Sequence, residues 1–392
     1  MKYNFDQIID RTGTFASKLE RMPEGCPADA LPLWVADMDF ECPEPVIRAL
    51  HERVDRKIFG YTLYDVDECY DAVTGFFKRH HNWEINKKHM VLSPGIVSAY
   101  AVLLNLLTKE GDGIVLQRPI YYPFTMKAEA NGRKLVDNAL IYENGNYHMD
   151  LEDLDKKMAD PANTVLVFCS PHNPAGRVWT EEEIRSVVDI CKKYNKWIIC
   201  DEIHCDLLRK GVVHHPMLKV APDYADHIVV CTAPSKTFNL AGMKCSNIII
   251  PNDDLRAKWN EFMGEKLSMS GPNVLGLTAM IAAYNEGDEW LEQVNEYIDG
   301  NFEYIRDFIA KNMPKAHLVP SEGTYLAWID LNGYVNGDEK KLEELMKKTA
   351  KVALDEGYIF GDAGRGFERI NVAAPRSVIA DCMDRMKKAL AE

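Results

Sequence analysis

The sequence predicts an α/β fold in which a parallel sheet is covered on both faces by helices and is joined to a second, smaller domain. Three observations predict it. Short apolar runs rich in β-branched residues alternate with longer helical patterns through the middle of the chain. Polar residues of complementary chemistry follow closely behind four of those runs. Beyond about residue 272 the apolar spacing changes to three- and four-residue steps, the period of a helix.

The runs at 114–116, 164–169 (TVLVFC), 197–200 (WIIC) and 228–232 (IVVCT) are each short enough to be a buried strand, and 247–250 is expected as a fifth. Trp290, Leu291, Val294, Ile298, Phe302, Ile305 and Ile309 then mark a long helix leading into the second domain. That domain is expected to hold a strand at 324–329, a helix at 340–356, a glycine-rich stretch at 361–366, a strand at 369–373 and a terminal helix. At 392 residues the chain exceeds one ordinary core. The expected division is a large domain over 46–285 and a small domain built from both termini, 1–45 and 286–392.

Composition excludes several classes of function. The formal net charge of −14 is spread along the chain, and no Lys/Arg-rich block offers a footprint for a phosphate backbone, so nucleic acid is not an expected partner. No apolar run approaches the ~18 residues that span a bilayer, and the first residues lack the apolar stretch of a signal peptide, so a cytoplasmic protein without a membrane partner is expected. The ten cysteines show no Cys-x-x-Cys pair and no metal-ligand spacing; several (Cys169, Cys200, Cys231) end apolar runs, where reduced cysteine behaves as a small hydrophobe. No metal site is expected. No Gly-x-Gly-x-x-Gly joins a strand to a helix, which disfavours a nicotinamide enzyme.

In open α/β sheets ligands bind beyond the carboxyl ends of the strands, so the four polar tips should converge on one crevice. Lys236, just past a buried strand, could sit partly desolvated, with a lowered pKa and an amine free to condense with an aldehyde; most lysines are merely solvated. The hydroxyls of Thr232 and Ser235 beside it are possible phosphate ligands. Ser93-Pro94-Gly95 opens an apolar helix whose first N–H groups suit a phosphate, or is a plain turn. Asp201 could face a protonated pyridine nitrogen or cap a helix. Asn173 could donate to a phenolic oxygen or serve a turn between Pro171 and Pro174, and the Asn173-Pro174 bond is expected to be cis. His204 could reach the same oxygen or be an ordinary buried histidine. Tyr121 and Ile203 could cover the two faces of a ring or belong to the core. Arg376 could clamp a carboxylate or lie on the surface.

Taken together these residues resemble the aminotransferase-like, fold-type I pyridoxal 5'-phosphate (PLP) enzymes, and within them the MalY/PatB-type cystathionine β-lyase branch. The resemblance runs nearly end to end. It is carried by PLWVADMDF, FGYT, SPGIVSAY, RPIYYPF, SPHNPAGRVW, DEIHCDL, SKTFNLAGMK, EGTYLAW and RINVAAPRS. It implies a large domain with a mostly parallel seven-stranded sheet, plus a smaller α+β domain. It further implies PLP held by Lys236 as a Schiff base, with Asp201 at the ring nitrogen, Asn173 and His204 near the phenolic oxygen, and Tyr121 stacked on the ring. The implied phosphate ligands are Gly95, Ile96, Val97, Ser235 and Thr232, with Tyr61 reaching in from the second subunit of a homodimer. Arg376, Tyr122 and Tyr64 are the implied substrate contacts. Lys244 stands where many aminotransferases carry a phosphate-binding arginine and offers a point charge without the planar fork; Ala233 likewise stands where many relatives carry serine.

The implied activity is β-elimination from a cysteine thioether such as cystathionine, releasing a thiol, pyruvate and ammonia. An aminotransferase would use the same residues with a keto-acid acceptor. A PLP-binding regulatory protein is the alternative from another class, and nothing in the sequence marks a surface for it.

Overall fold

The computed structural model describes residues 1–269 and 271–391. Each apolar run in the middle of the chain becomes a strand, because its β-branched and aromatic side chains pack on both faces of a sheet. The clearest case is Asn163–Cys169, buried along almost its whole length. The order across the seven-stranded sheet is Met90–Ser93, Ser246–Ile249, Ile228–Thr232, Trp197–Asp201, Asn163–Cys169, Gly113–Leu116 and Lys134–Asp137. Ser246–Ile249 runs antiparallel to both its neighbours, and the remaining pairs are parallel.

Alternation along the strands shows how the two faces are covered. Ile114, Val165, Val167, Ile199, Val229 and Ile248 pack with Tyr100 and Leu103 of the helix Ile96–Leu107 in one core. Their neighbours Val115, Leu166, Phe168, Ile198 and Val230 pack in the other, against Ile184 and Val188 of the helix Glu181–Lys193 and Met280 of the helix Val274–Glu286. Glu181–Lys193 starts at Thr180, whose hydroxyl accepts the Glu183 N–H while Glu183 returns the bond to the Thr180 N–H, a capping box.

The helical period after residue 286 is the helix Asp288–Asn312. It leads into a four-stranded antiparallel sheet ordered His317–Leu318, Leu326–Asp330, Phe367–Asn371 and Asp355–Glu356. The N-terminal segment joins this part of the molecule: Leu31–Pro32 pairs with Val352–Ala353, and Asn371 N–H donates to the Leu33 carbonyl at 2.9 Å.

The helix expected at 340–356 is corrected. Only Glu339–Glu344 is α-helical; Leu345–Ala350 widens to a π-turn, and Lys351 takes a left-handed conformation that ends it. The residues beyond it are then claimed by strand pairing, Val352–Ala353 with Leu31–Pro32 and Asp355–Glu356 with Phe367–Asn371. The ten cysteines are free. Among the described residues no helix is long and apolar enough to cross a membrane. The Asn173-Pro174 bond is cis, as are Arg118-Pro119 and Ser170-Pro171.

Candidate active site

The parallel strands all end on one side, and there a cavity of about 220 Å³ opens. The turn into the helix Ile96–Leu107 contributes Gly95, Ile96 and Val97. The strand ends contribute Tyr121, Asn173 and Asp201, with Ile203 and His204 just beyond. Ser235 and Lys236 come from the single helical turn Pro234–Thr237, and Lys244 from the rim. Phe124, Ser98, Ser246 and Ala36 line the cavity as well and are not among the residues expected from sequence.

Lys236 Nζ donates to the Ala36 carbonyl at 2.6 Å. Burial draws its pKa down to about 8, and the Arg369 guanidinium pushes the same way, against the weaker pull of Asp37 and Asp201. A neutral amine is therefore within reach near neutral pH. The Ala36 carbonyl also accepts the Tyr325 hydroxyl at 2.8 Å. The turn that presents it is pinned from both sides: Asn239 accepts from the Met38 N–H at 3.0 Å and donates to the Met38 and Phe40 carbonyls, while Asn371 donates to those of Val35 and Asp37. The two carboxylates of this turn are neutralised by Arg11 and Lys18, with Lys18 Nζ 2.7 Å from Asp39 Oδ2.

Asp201 is buried, and that burial raises its pKa to about 7, although the Ile203 N–H at 3.1 Å and Lys236 both favour the anion. Such a carboxyl lacks a close cation, which a protonated pyridine nitrogen would supply. His204 is also buried, with its pKa driven well down by burial and then by Lys236 and Arg369, so its ring is neutral. Among the described residues its Nδ1 has no hydrogen-bond partner. A buried polar atom without a protein partner beside a cavity fits a ligand group. Gly95 has open space where a Cβ would stand, so a phosphate can approach the first N–H groups of the helix. These features fit PLP: an amine for its aldehyde, a carboxylate for its ring nitrogen, an open donor or acceptor near its oxygen, and a helix terminus for its phosphate.

Five expected site residues stand elsewhere in this chain. Thr232 is fully buried between strands and paired with Asn247, whose side chain reaches its hydroxyl at 3.4 Å, so it does not line the cavity. Tyr122 packs its ring against Tyr121 and Phe360 behind the cavity wall. Tyr61 is fully exposed, and Tyr64 lines a separate cavity with Tyr70, Arg256 and Trp259. Arg376 opens the terminal helix Arg376–Leu390 beside a surface groove, where Nε donates to Asn301 Oδ1 at 2.5 Å and the guanidinium lies over Tyr304. The arginine that faces the cavity residues is Arg369, in the strand Phe367–Asn371: it donates to Asn173 Oδ1 at 3.0 Å and pairs with Asp355. Its one sequence signal was a charged residue inside a short strand, between Glu368 and Ile370.

Fold and cavity together define a fold-type I PLP-dependent enzyme, with Lys236 lining the cavity. The match to known proteins agrees, since the model of the class I and II aminotransferases matches residues 28–384. The chain belongs to that family, and within it to the group of the MalY/PatB-type lyases. It is 39% identical to cystathionine beta-lyase PatB of Bacillus subtilis (strain 168), over 99% of this chain and 100% of that one. Among solved structures it is similar to cystalysin of Treponema denticola, which contains PLP, with TM-score 0.95, 38% identity and coverage of 100% and 99%. It is likewise similar to the PLP-bound C-S lyase of Staphylococcus hominis, with TM-score 0.94, 38% identity and the same coverage.

Proposed function

We propose that the protein is a PLP-dependent C–S β-lyase that cleaves cystathionine or a related cysteine thioether to a thiol, pyruvate and ammonia. The observation that carries this reading is the Lys236 amine, drawn down to about 8 in a cavity that also holds Asp201, Tyr121 and a helix N-terminus. When bound, the cofactor supplies an electron sink for the charge that develops at the substrate Cα. Lys236 Nζ would anchor it and, with its amine free, would take the substrate Cα proton as general base. The Cβ–S bond then breaks, and sulfur leaves with the bonding pair and is protonated to the thiol. Water converts the remaining three-carbon fragment to pyruvate and ammonia.

The other side chains bind and orient. Asp201 would hold the ring nitrogen; a cation there lowers a carboxyl pKa by roughly 1–3 units, which would return Asp201 to the anion. Asn173 and His204 would serve the ring oxygen, while Tyr121 and Ile203 would cover the ring faces and exclude water. The N–H groups of Ile96 and Val97, the Ser235 hydroxyl and the Lys244 ammonium at the rim would hold the phosphate. Arg369, with its Nε unpartnered, receives the substrate carboxylate in place of Arg376.

The same reading includes a homodimer, in which the exposed segment with Ile58, Phe59, Tyr61 and Leu63 packs against a second copy and brings Tyr61 to its cavity. It also includes a cytoplasmic location, and the division into 46–285 and the paired termini, the latter supported by the separate seven-stranded and four-stranded sheets. The test is incubation of the purified protein with PLP and cystathionine and no keto acid. Pyruvate and free thiol are the expected products; turnover that requires a keto acid assigns the protein to the aminotransferases instead.

A further inference from the structure

Behind the cavity lie two buried histidine–carboxylate pairs to which the reaction gives no role. His81 Nε2 stands 2.6 Å from Asp206 Oδ1, and His214 Nε2 stands 3.1 Å from Glu202 Oε2. The two imidazoles meet edge to face, with ring centroids 5.4 Å apart. Glu202 uses its second oxygen locally, accepting the Met217 N–H at 2.8 Å. Asp206 points its second oxygen at the catalytic segment: Oδ2 accepts the Thr237 hydroxyl at 2.6 Å, and Thr237 follows Lys236 directly.

Thr237 closes the one-turn helix Pro234–Thr237 that carries both Ser235 and Lys236. Four residues are too few to hold a helix by their own hydrogen bonds, so the direction of Lys236 has to be set from outside. Thr237 is wholly buried, and its hydroxyl is the side-chain tether of that turn. Asp206 is in turn fixed on every side. His81, the last residue of the helix Asp67–His81, holds Oδ1, and the Asn295 side chain from the helix Asp288–Asn312 holds the backbone carbonyl at 2.9 Å.

Burial works against the Asp206 anion, but the bonds from His81 and Thr237 outweigh it and keep the carboxyl below its usual range, with His80 adding to them. His81, Cys205 and Asp206 also stand close enough to share a metal ion. That use is disfavoured, because both Asp206 oxygens are already engaged and burial holds the Cys205 thiol protonated.

We propose that Asp206, oriented by His81, is a positioning residue for Lys236: through the Thr237 hydroxyl it sets the angle at which Nζ meets the cofactor and the substrate Cα. The proposal rests on Lys236 being the cofactor lysine. Its readout is the near-violet absorbance of the lysine-linked cofactor in the holoenzyme, whose pH midpoint depends on how the linking nitrogen is aligned and hydrogen-bonded. The charged groups facing that nitrogen are Asp37, Asp201 and Arg369, and none of them is altered by a change at Thr237.

Thr237→Val keeps the volume and removes the hydroxyl. It is expected to move the midpoint by about half a unit or more and to lower kcat on the order of tenfold with KM little changed. Thr237→Ser, which keeps the hydroxyl, restores both. A Thr237→Val enzyme with the parent's midpoint and kcat overturns the proposal, even if its melting temperature falls. Should that variant not fold, Asp206→Asn, equal in shape but with an amide nitrogen in place of one acceptor, is titrated in the same way, and an unchanged midpoint there overturns it. Absence of the band from the parent protein would instead strike at Lys236 as the cofactor lysine, so the two failures are told apart.

Discussion

Arg369 and Arg376 lie within a few residues of each other, one in the strand Phe367–Asn371 and one at the start of the terminal helix, yet they occupy opposite kinds of site. The Arg369 side chain is 3% exposed, lies over the Phe360 ring, and keeps Nε unpartnered while its other donors meet Asn173, Asp355 and the Trp34 carbonyl. Arg376 is half-buried in an open groove, where Asn301 and Tyr304 engage it among residues of the N-terminal segment. A buried guanidinium with a donor to spare, bonded to a residue that lines the cavity, is suited to an anionic ligand. An arginine on a helix start with its Nε satisfied by a neighbour is arranged to hold the chain together. The motif containing both residues does not separate them; burial and hydrogen bonding do, and on these the proposed substrate role of Arg369 rests.

The largest expected effect breaks or upholds that contrast directly. Arg369→Lys keeps the charge beside Asp355 but loses the fork, and is expected to lower kcat/KM roughly thirtyfold, about 2 kcal/mol. The loss should fall mainly on KM in steady-state assays of thiol release. A second prediction concerns Lys236 before it meets the cofactor. Only the neutral amine condenses with an aldehyde, and the amine gains its neutral form as pH rises through about 8. Reloading of cofactor-free protein should therefore slow about tenfold for each pH unit below 8 and level off above it. A midpoint near the ordinary lysine value would mean that the cavity does not desolvate the amine.

Glu368 sharpens the comparison from the other face of the same strand. It is buried with neither carboxylate oxygen partnered, and its pKa is raised by burial and then by Glu356 and Asp355. A raised acid binds its proton more tightly in the folded state, so its share of stability is present below the unfolded value near 4.5 and is lost as pH rises toward the folded one. Glu368→Met is expected to remove that slope and to stabilise the protein at pH 8 by about 1–3 kcal/mol in urea unfolding. The smallest effect belongs to Arg376→Ala, which should leave kcat/KM within about threefold while costing about 1 kcal/mol of stability through the bond to Asn301.

Much of this molecule was legible in its sequence, and the gaps have physical causes. The four central runs became strands within a residue of their expected ends, because buried parallel strands are continuous apolar runs. Met90–Ser93 was missed because its three apolar residues run straight into the Ser-Pro-Gly turn, and Lys134–Asp137 because an edge strand with Lys134 and Asp137 at its ends carries too little apolar signal. The helix expected at 340–356 failed because strand partners far away in sequence outcompeted a local helical spacing. At the site, the residues expected on strand ends do line one cavity, since strand direction alone brings them together. Arg369 and Asp206 were not singled out, because what distinguishes them is an unmade bond in one and a pair of buried partners in the other, and neither is written in spacing.

The most direct measurement is borohydride reduction of the PLP-loaded protein followed by mass mapping of its peptides. A single stable adduct on Lys236, and none in Lys236→Ala, is the predicted result. An adduct on Lys244 or another lysine, or a protein that takes up no cofactor, would contradict the account.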